Sequence, residues 1–429
     1  MDCKYFLAVL FLLLAIPKTV YSQNRLFFTS HQEDFDSEWD SISSLRKKTN
    51  HSYSDTIPLS QVDEPEKNGK LTINGYLKYL PSYRKSSLFE RALFDQLLHN
   101  RLNFKKDIHD NFTFQGSLRT RFFYGRTIEE FPVFKEFIDN DFGALDLSKV
   151  IWSGRQHILH TTIDRFNFTY KTDKWELRLG RQRINWGINL VSNPNDLFNT
   201  YSFFDFDYEE RPGTDAIRFQ YFTGDLSRFE IAYAPGKNKH ESVAAAYYSF
   251  NSNGYDIQFI SGVFKNRWTG GIGWAGSIKN TGFKGELSYF RDLQPIAGRE
   301  AGNIVAGISA DHILSNGTFL VIEYLYNQPR SGVSQDVLLL TQPLQADNLS
   351  FSDHSIFFQA QYPISPILNA GAATIYYPSE KAVFLSPSIT GNIVKNLDLL
   401  LIGQFFTGSS SSFFSQTGSL IAASLKWNF

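Results

Sequence analysis

The residues of this chain that can do chemistry are charged side chains set two apart. Across 112–123, Thr113, Gln115, Ser117, Arg119 and Arg121 share one parity, and Phe112, Phe114, Leu118 and Phe122 share the other. A period of two is that of an extended strand, whose successive side chains point to opposite faces. The same rule sets Arg165, Asn167 and Lys171 against Phe166, Phe168 and Tyr170. It sets Glu176 and Arg178 against Trp175, Leu177 and Leu179, Arg218 and Gln220 against Ile217, Phe219 and Tyr221, and Arg228 and Glu230 against Phe229, Ile231 and Tyr233. Such strands need lipid on one side and water on the other, because an arginine facing lipid at the bilayer midplane costs about 2–4 kcal/mol. The chemistry this implies is passage through a water-filled lumen, lined by Gln115, Arg119, Arg121, Arg165, Glu176, Arg178, Arg218, Gln220, Arg228 and Glu230. Two readings of the arginines stand side by side. A basic stripe lowers the barrier for anions; alternatively Arg178, Arg218 and Arg228 pair with Glu176 and Glu230 to brace the wall.

Arg181 and Arg183 break the phase after Gly180, which predicts a bulge at that glycine. Later strands carry mainly Gly, Ala and Ser on the lumen parity, with Lys284 and Glu286 as exceptions. The second chemical candidate is the segment 185–213, with Asn193-Pro194-Asn195-Asp196 and the acidic aromatic run 203–210. A loop of that length folds inward and narrows a pore, and Asn193, Asp196, Asp205, Asp207 and Glu209 are its polar candidates. Carboxylates are the ligands calcium prefers. Their spacing here matches no calcium loop, so the acidic residues read as a solvated external loop, and no metal or other cofactor is expected. There is no phosphate-cradling glycine loop, no Gly-x-Ser-x-Gly elbow and no His-Glu-x-x-His, so the chain is not expected to be an enzyme. His157 and His160 lie three apart in a strand and point to opposite faces.

The elements that position these residues are short alternating strands from Leu71 onward, about eighteen (16–18) in number. Gaps between them alternate in length. Short ones fall at 106–110, 172–173, 224–225, 253–254, 279–281, 315–317, 363–366 and 394–396; the clearest long ones are 126–156, 186–213, 291–301 and 328–354. Tight turns at one end and extended loops at the other are the habit of outer-membrane barrels, and an even strand number puts both termini in the periplasm. A soluble two-sheet sandwich has no reason to sort its loops in this way. The final strand alternates Ile421, Ala423, Leu425 and Trp427 and ends on Phe429. The expected class is therefore all-β: a transmembrane antiparallel up-and-down barrel over 71–429.

Residues 1–22 read as a secretory signal peptide, with Lys4 before an apolar run and Ser22 closing a Val-Tyr-Ser triplet. Residues 23–70 are polar and read as a mostly irregular periplasmic segment with a short helix near 35–45. Cleavage removes the only Cys and the only Met, so no disulfide is expected. With 42 basic against 43 acidic residues, bulk charge argues against nucleic-acid binding. Aromatic content of 16%, including 40 Phe and 21 Tyr, suits interfacial girdles such as Tyr170 with Trp175 and Phe250 with Tyr255. Expected partners are outer-membrane lipid, the barrel-assembly machinery through the strand ending at Phe429, and a small polar or anionic solute or a saccharide. A homo-oligomer is compatible with the pattern, but no face of the chain announces one. The competing functional reading is a non-conducting surface protein that binds glycan or a partner through its long loops.

The stretch Leu177-Arg178-Leu179-Gly180-Arg181-Gln182, then Ile184-Asn185-Trp186-Gly187, then Gly213-Thr214-Asp215-Ala216-Ile217-Arg218, resembles Gram-negative outer-membrane channels, above all porins of the alginate-export type. The resemblance covers roughly residues 70–235 at the level of motifs. It implies an eighteen-stranded pore with an electropositive passage for anionic or saccharide solutes. The scarcity of lumen arginines in the second half departs from a path for a polyanion.

Overall fold

The computed structural model describes residues 69, 71–141, 143–200, 203–207, 212–294, 301–328, 344–409 and 416–429. The expected signal peptide, nearly all of the 23–70 segment and Glu209 lie outside the described residues. The first strands are β1 (Leu71–Lys85), β2 (Leu93–His109), β3 (Phe112–Gly125), β4 (Ser148–Ser153), β5 (His157–Lys171) and β6 (Trp175–Gln182). Then come β7 (Thr214–Gly224), β8 (Ser227–Ala234), β9 (Val243–Ser252), β10 (Tyr255–Phe264), β11 (Arg267–Ile278) and β12 (Thr281–Asp292). The last are β13 (Gly302–Ile313), β14 (Phe319–Asn327), β15 (His354–Ser365), β16 (Leu368–Tyr377), β17 (Ala382–Val394), β18 (Leu397–Thr407) and β19 (Ser419–Asn428). Two five-residue helices, α1 (Arg126–Glu130) and α2 (Phe134–Ile138), lie between β3 and β4.

Every pairing is antiparallel between neighbours in sequence, apart from the direct β3–β5 ladder, and β1 pairs with both β2 and β19, so the sheet closes on itself. Closure leaves no strand edge unpaired in the hydrocarbon layer, which a spanning sheet requires. At the seam, Gly75 and Phe429 exchange backbone hydrogen bonds of 2.9 and 3.0 Å. The strand β4 is extra to the wall. It runs beside β5 over 158–162, above the point where β6 leaves β5 at Phe166, so the barrel has eighteen wall strands.

Turns sort by end as the gap lengths predict, with two exceptions, one of them the four-residue turn 378–381 between β16 and β17. Lys265-Asn266 joins β10 to β11 at the long-loop end through a two-residue turn, both residues at positive φ. Asn253-Gly254 makes the matching turn at the short-turn end with φ of 53° and 80°, the geometry a twisted two-residue hairpin needs. The outward parity is apolar and accessible: Ile217 is 52% exposed and Ile231 48%. Among the described residues no helix is long and apolar enough to cross a membrane, so any crossing is by strands.

The expected bulge at Gly180 is not there. The β5–β6 and β6–β7 registers run through it unbroken, and the backbone takes φ +110° instead. That conformation, which strongly favours glycine, lets Arg181 turn into a buried corner. Its Nε donates to Asp215 Oδ1 at 2.8 Å and its Nη1 to Asp141 Oδ2 at 2.7 Å. The bulge in this region falls on β5, where Ser117 pairs with Arg165 and Leu118 with Ile163, leaving Asp164 as the inserted residue.

Candidate functional site in the barrel lumen

The site is the interior of the barrel and the segment that crosses it. Between β6 and β7, the described residues 184–200 and 203–207 lie inside and contact the inner faces of most of the wall strands in turn. Trp186 donates its indole N–H to Glu230 on β8 at 3.0 Å and stacks on Tyr247 of β9 at 5.3 Å, while its carbonyl accepts from Gln258 on β10 at 2.8 Å. Asn195 Nδ2 donates to the Ile272 carbonyl on β11 at 2.9 Å. Glu286 on β12 accepts the backbone N–H groups of Ile188, Asn189 (2.7 Å) and Asn195 (2.8 Å). Ser309 on β13 donates to Asn189 Oδ1 at 2.8 Å, and Glu323 on β14 accepts from Val191 (3.2 Å) and Ser192 (2.8 Å). Beyond these, Phe203 meets Phe357 of β15 edge-on at 5.0 Å, and Phe204 meets Phe384 of β17 at 4.9 Å and Phe406 of β18 at 5.5 Å. Gln404 Nε2 donates to the Phe204 carbonyl at 2.9 Å. The path ends where Lys78 of β1 holds Asp207 Oδ1 at 2.8 Å, with His99 Nδ1 of β2 at 3.6 Å from its other oxygen.

These contacts settle the two readings of the segment. Its described residues fold inward, and Asp196 is wholly buried, so a solvated external loop is corrected: the backbone N–H groups of Ile188, Asn189, Val191, Ser192 and Asn195 find their acceptors on Glu286 and Glu323 of the wall. Asn193 and Asp196 are turn residues, the Asp196 N–H donating to the Asn193 carbonyl at 3.1 Å. Among the described residues no group of three or more His, Cys, Asp or Glu side chains is placed to hold a metal ion.

The lumen side chains read from parity fall into ion pairs. Arg218 Nε and Arg228 Nε reach Glu230 at 2.8 and 2.7 Å, Gln220 donates to the same carboxylate at 2.9 Å, and Arg178 bonds Glu176 at 3.0 Å. Asp164 takes Arg101 at 2.5 Å and Arg119 at 3.3 Å, and its backbone carbonyl accepts from Arg165 at 2.9 Å. Arg121 lies 3.2 Å from His160 Nδ1 and over the Phe123 ring at 5.1 Å. Gln115 stands opposite Asn167 in the β3–β5 register, lower on the same face. Parity missed the partners: Lys78, His99, Arg101 and Asp164 carried no motif, and Asp164 reaches the lumen only through its bulge. Glu323 was equally silent. Residues 344–353, the described part of the connection before β15, are also tied to the wall: Arg267 bridges Asp292 (2.6 Å) and Asp347 (2.7 Å), and Asn303 donates to the Asp347 carbonyl at 3.0 Å.

The loop tip carries two carboxylates of opposite character. Asp205 is open to lumen water, yet the enclosing barrel reduces its solvation and Asp207 adds like charge, so its pKa is raised despite Arg121, Arg119 and Lys78. Burial alone would raise Asp207 too, but the Lys78 ammonium and the His99 contact outweigh it and hold that carboxyl below the usual range. What the tip leaves open is a space of ≈ 200 Å³ between Phe203 and Phe206 on one side and the inner faces of β15–β18 on the other.

No protein-family model and no curated protein matches the chain by sequence. Its fold is that of solved outer-membrane porins. OccAB4 of Acinetobacter baumannii superposes with a TM-score of 0.53 at 10% identity, over 85% of this chain and 99% of that one. The outer membrane protein OprD of Pseudomonas aeruginosa gives 0.53 at 9% identity over 86% and 95%, and OccD3 of the same organism gives 0.50 at 10% over 83% and 91%. At these identities the likeness shows the fold, an eighteen-strand porin-type barrel.

Proposed function

We propose that this porin-type barrel is a passive diffusion channel of a Gram-negative outer membrane, passing small polar solutes, anions and saccharides among them, through the space that segment 184–207 leaves beside the wall. The observation that carries the reading is a sealed wall of this size with a tethered inner segment. Barrels of about eighteen strands enclose an aqueous bore unless a segment fills it, and here the tip narrows the bore while a space of ≈ 200 Å³ persists beside Phe203 and Phe206. In this reading the short turns and both termini are periplasmic, the long loops face outward, and the strand ending at Phe429 is what the assembly machinery engages. Arg119, Arg121, Arg165, Arg178, Arg218 and Arg228 give one side of the bore a positive cast that Asp164, Glu176 and Glu230 offset by half, so anion preference is mild.

One observation favours the non-conducting alternative. Phe204 packs with Phe351, Phe384 and Phe406, filling much of the interior towards the long loops and leaving those loops as a surface for glycan or a partner. Single-channel recording of the purified, refolded protein in planar bilayers decides between them. Discrete current steps uphold the channel; a silent membrane with folded protein overturns it.

A further inference from the structure

The loop tip divides the lumen into unlike halves. Towards β1–β5 the described inner side chains include charged groups that pair with one another: Lys78 with Asp207, Arg101 and Arg119 with Asp164. Towards β15–β18, every described residue lining the ≈ 200 Å³ space is uncharged. Its polar members are Gln359, Ser386, Ser388 and Gln404, and its aromatic members are Phe203 and Phe206.

The side chains of Gln359, Ser386 and Ser388 line this space and have no hydrogen-bond partner among the described residues. Amides and hydroxyls both donate and accept, which matches an uncharged solute rich in hydroxyls. A buried polar group without a partner costs about 1–3 kcal/mol, so a solute that displaces water here must supply hydrogen bonds in return. Across the space stand Phe203 and Phe206, each half-buried. An aromatic face carries negative potential and suits the C–H face of a pyranose ring. A carboxylate or ammonium would shed hydration here without meeting an opposite charge on the lining, which is costly.

We infer that this lane binds uncharged saccharides in transit, the sugar ring against Phe203 and Phe206 and its hydroxyls on Gln359, Ser386, Ser388 and Gln404. The inference rests on the channel reading and names its substrate class.

The test uses refolded full-length protein in planar bilayers in KCl, with maltotriose as the neutral probe and glucuronate as the anionic one. Maltotriose is expected to reduce the current saturably. Phe206→Ala should raise its half-blocking concentration at least tenfold, and Ser388→Ala, a change too small to endanger folding, severalfold. Block by glucuronate but not by maltotriose overturns the inference, as does a maltotriose block that neither substitution alters. If the wild-type protein passes no current, the channel reading has failed, and calorimetry of the detergent-solubilised protein judges the lane alone. Saturable heat with maltotriose that Ser388→Ala weakens then upholds it, and no heat overturns it.

Discussion

Glu286 gathers the amide hydrogens of Ile188, Asn189 and Asn195 on one carboxylate, and Glu323 does the same for Val191 and Ser192. Peptide N–H groups inside a wall have no other acceptor nearby, and each left unpaired costs about 1–3 kcal/mol. Glu286→Leu is therefore expected to free the first half of the inner segment, raising the mean single-channel current and its variance while lowering the unfolding midpoint. An unchanged current histogram would show that other contacts seat the segment. The two acids at the tip respond to pH in opposite ways. Asp207 has a depressed folded pKa, so its contribution is present above the ordinary carboxylate value of about 3.9 and is lost only as pH falls through the lower folded value. The Lys78 tether thus holds through neutral and mildly acidic solution. Asp205 has a raised folded pKa, so its ionised form opposes the fold and it takes up a proton first on acidification. Reversal potentials in a KCl gradient, taken from about pH 7 down to about pH 4, should drift towards chloride, and Asp205→Asn should show the acid value at neutral pH with a flattened profile.

At the level of elements, Gly180 and Gly254 both hold positive φ but differ in what surrounds them. A Cβ at Gly254 meets nothing within 4 Å, whereas one at Gly180 collides with the Phe166 carbonyl oxygen across the β5–β6 ladder. Gly254→Ala should therefore cost only backbone strain, about 1 kcal/mol, and Gly180→Ala more, about 1–3 kcal/mol, with urea unfolding in detergent giving the two values. Equal midpoints would contradict the close approach at β6. The same glycine shows where sequence reading runs out. The phase break at Arg181 was visible, but a bulge and a φ reversal both restore phase, and only the register tells them apart. Strand faces were legible because lipid penalises each outward charge separately, so parity in 112–123 or 165–171 needs no distant information. The route of 184–207 was not, beyond its tendency to turn inward, because its anchors are wall carboxylates about a hundred residues away meeting backbone amides, which have no side-chain signature. The Lys265-Asn266 turn escaped notice for a related reason: neither residue is the glycine that usually announces positive φ.

For the molecule as a whole, the channel reading rests on one physical division: acyl chains outside, water and ion pairs inside, and a ladder closed between Gly75 and Phe429. Adjacent residues on one strand can test that division. Ile389 and Ser388 are neighbours near the middle of β17; Ile389 is 39% exposed on the outer parity, and Ser388 lines the inner space. An arginine at 389 would face hydrocarbon near the midplane, costing about 2–4 kcal/mol, whereas an arginine at 388 would enter the lumen and keep its hydration. Folding into lipid vesicles under a urea titration should therefore fail earlier for Ile389→Arg by an amount in that range. Ser388→Arg should fold close to wild type but shift the reversal potential towards anions, since it adds an unpaired positive charge to the neutral half of the bore. Equal penalties at the two positions would mean that lipid does not contact the outer face, and both the membrane-spanning barrel and the lane inside it would have to be abandoned.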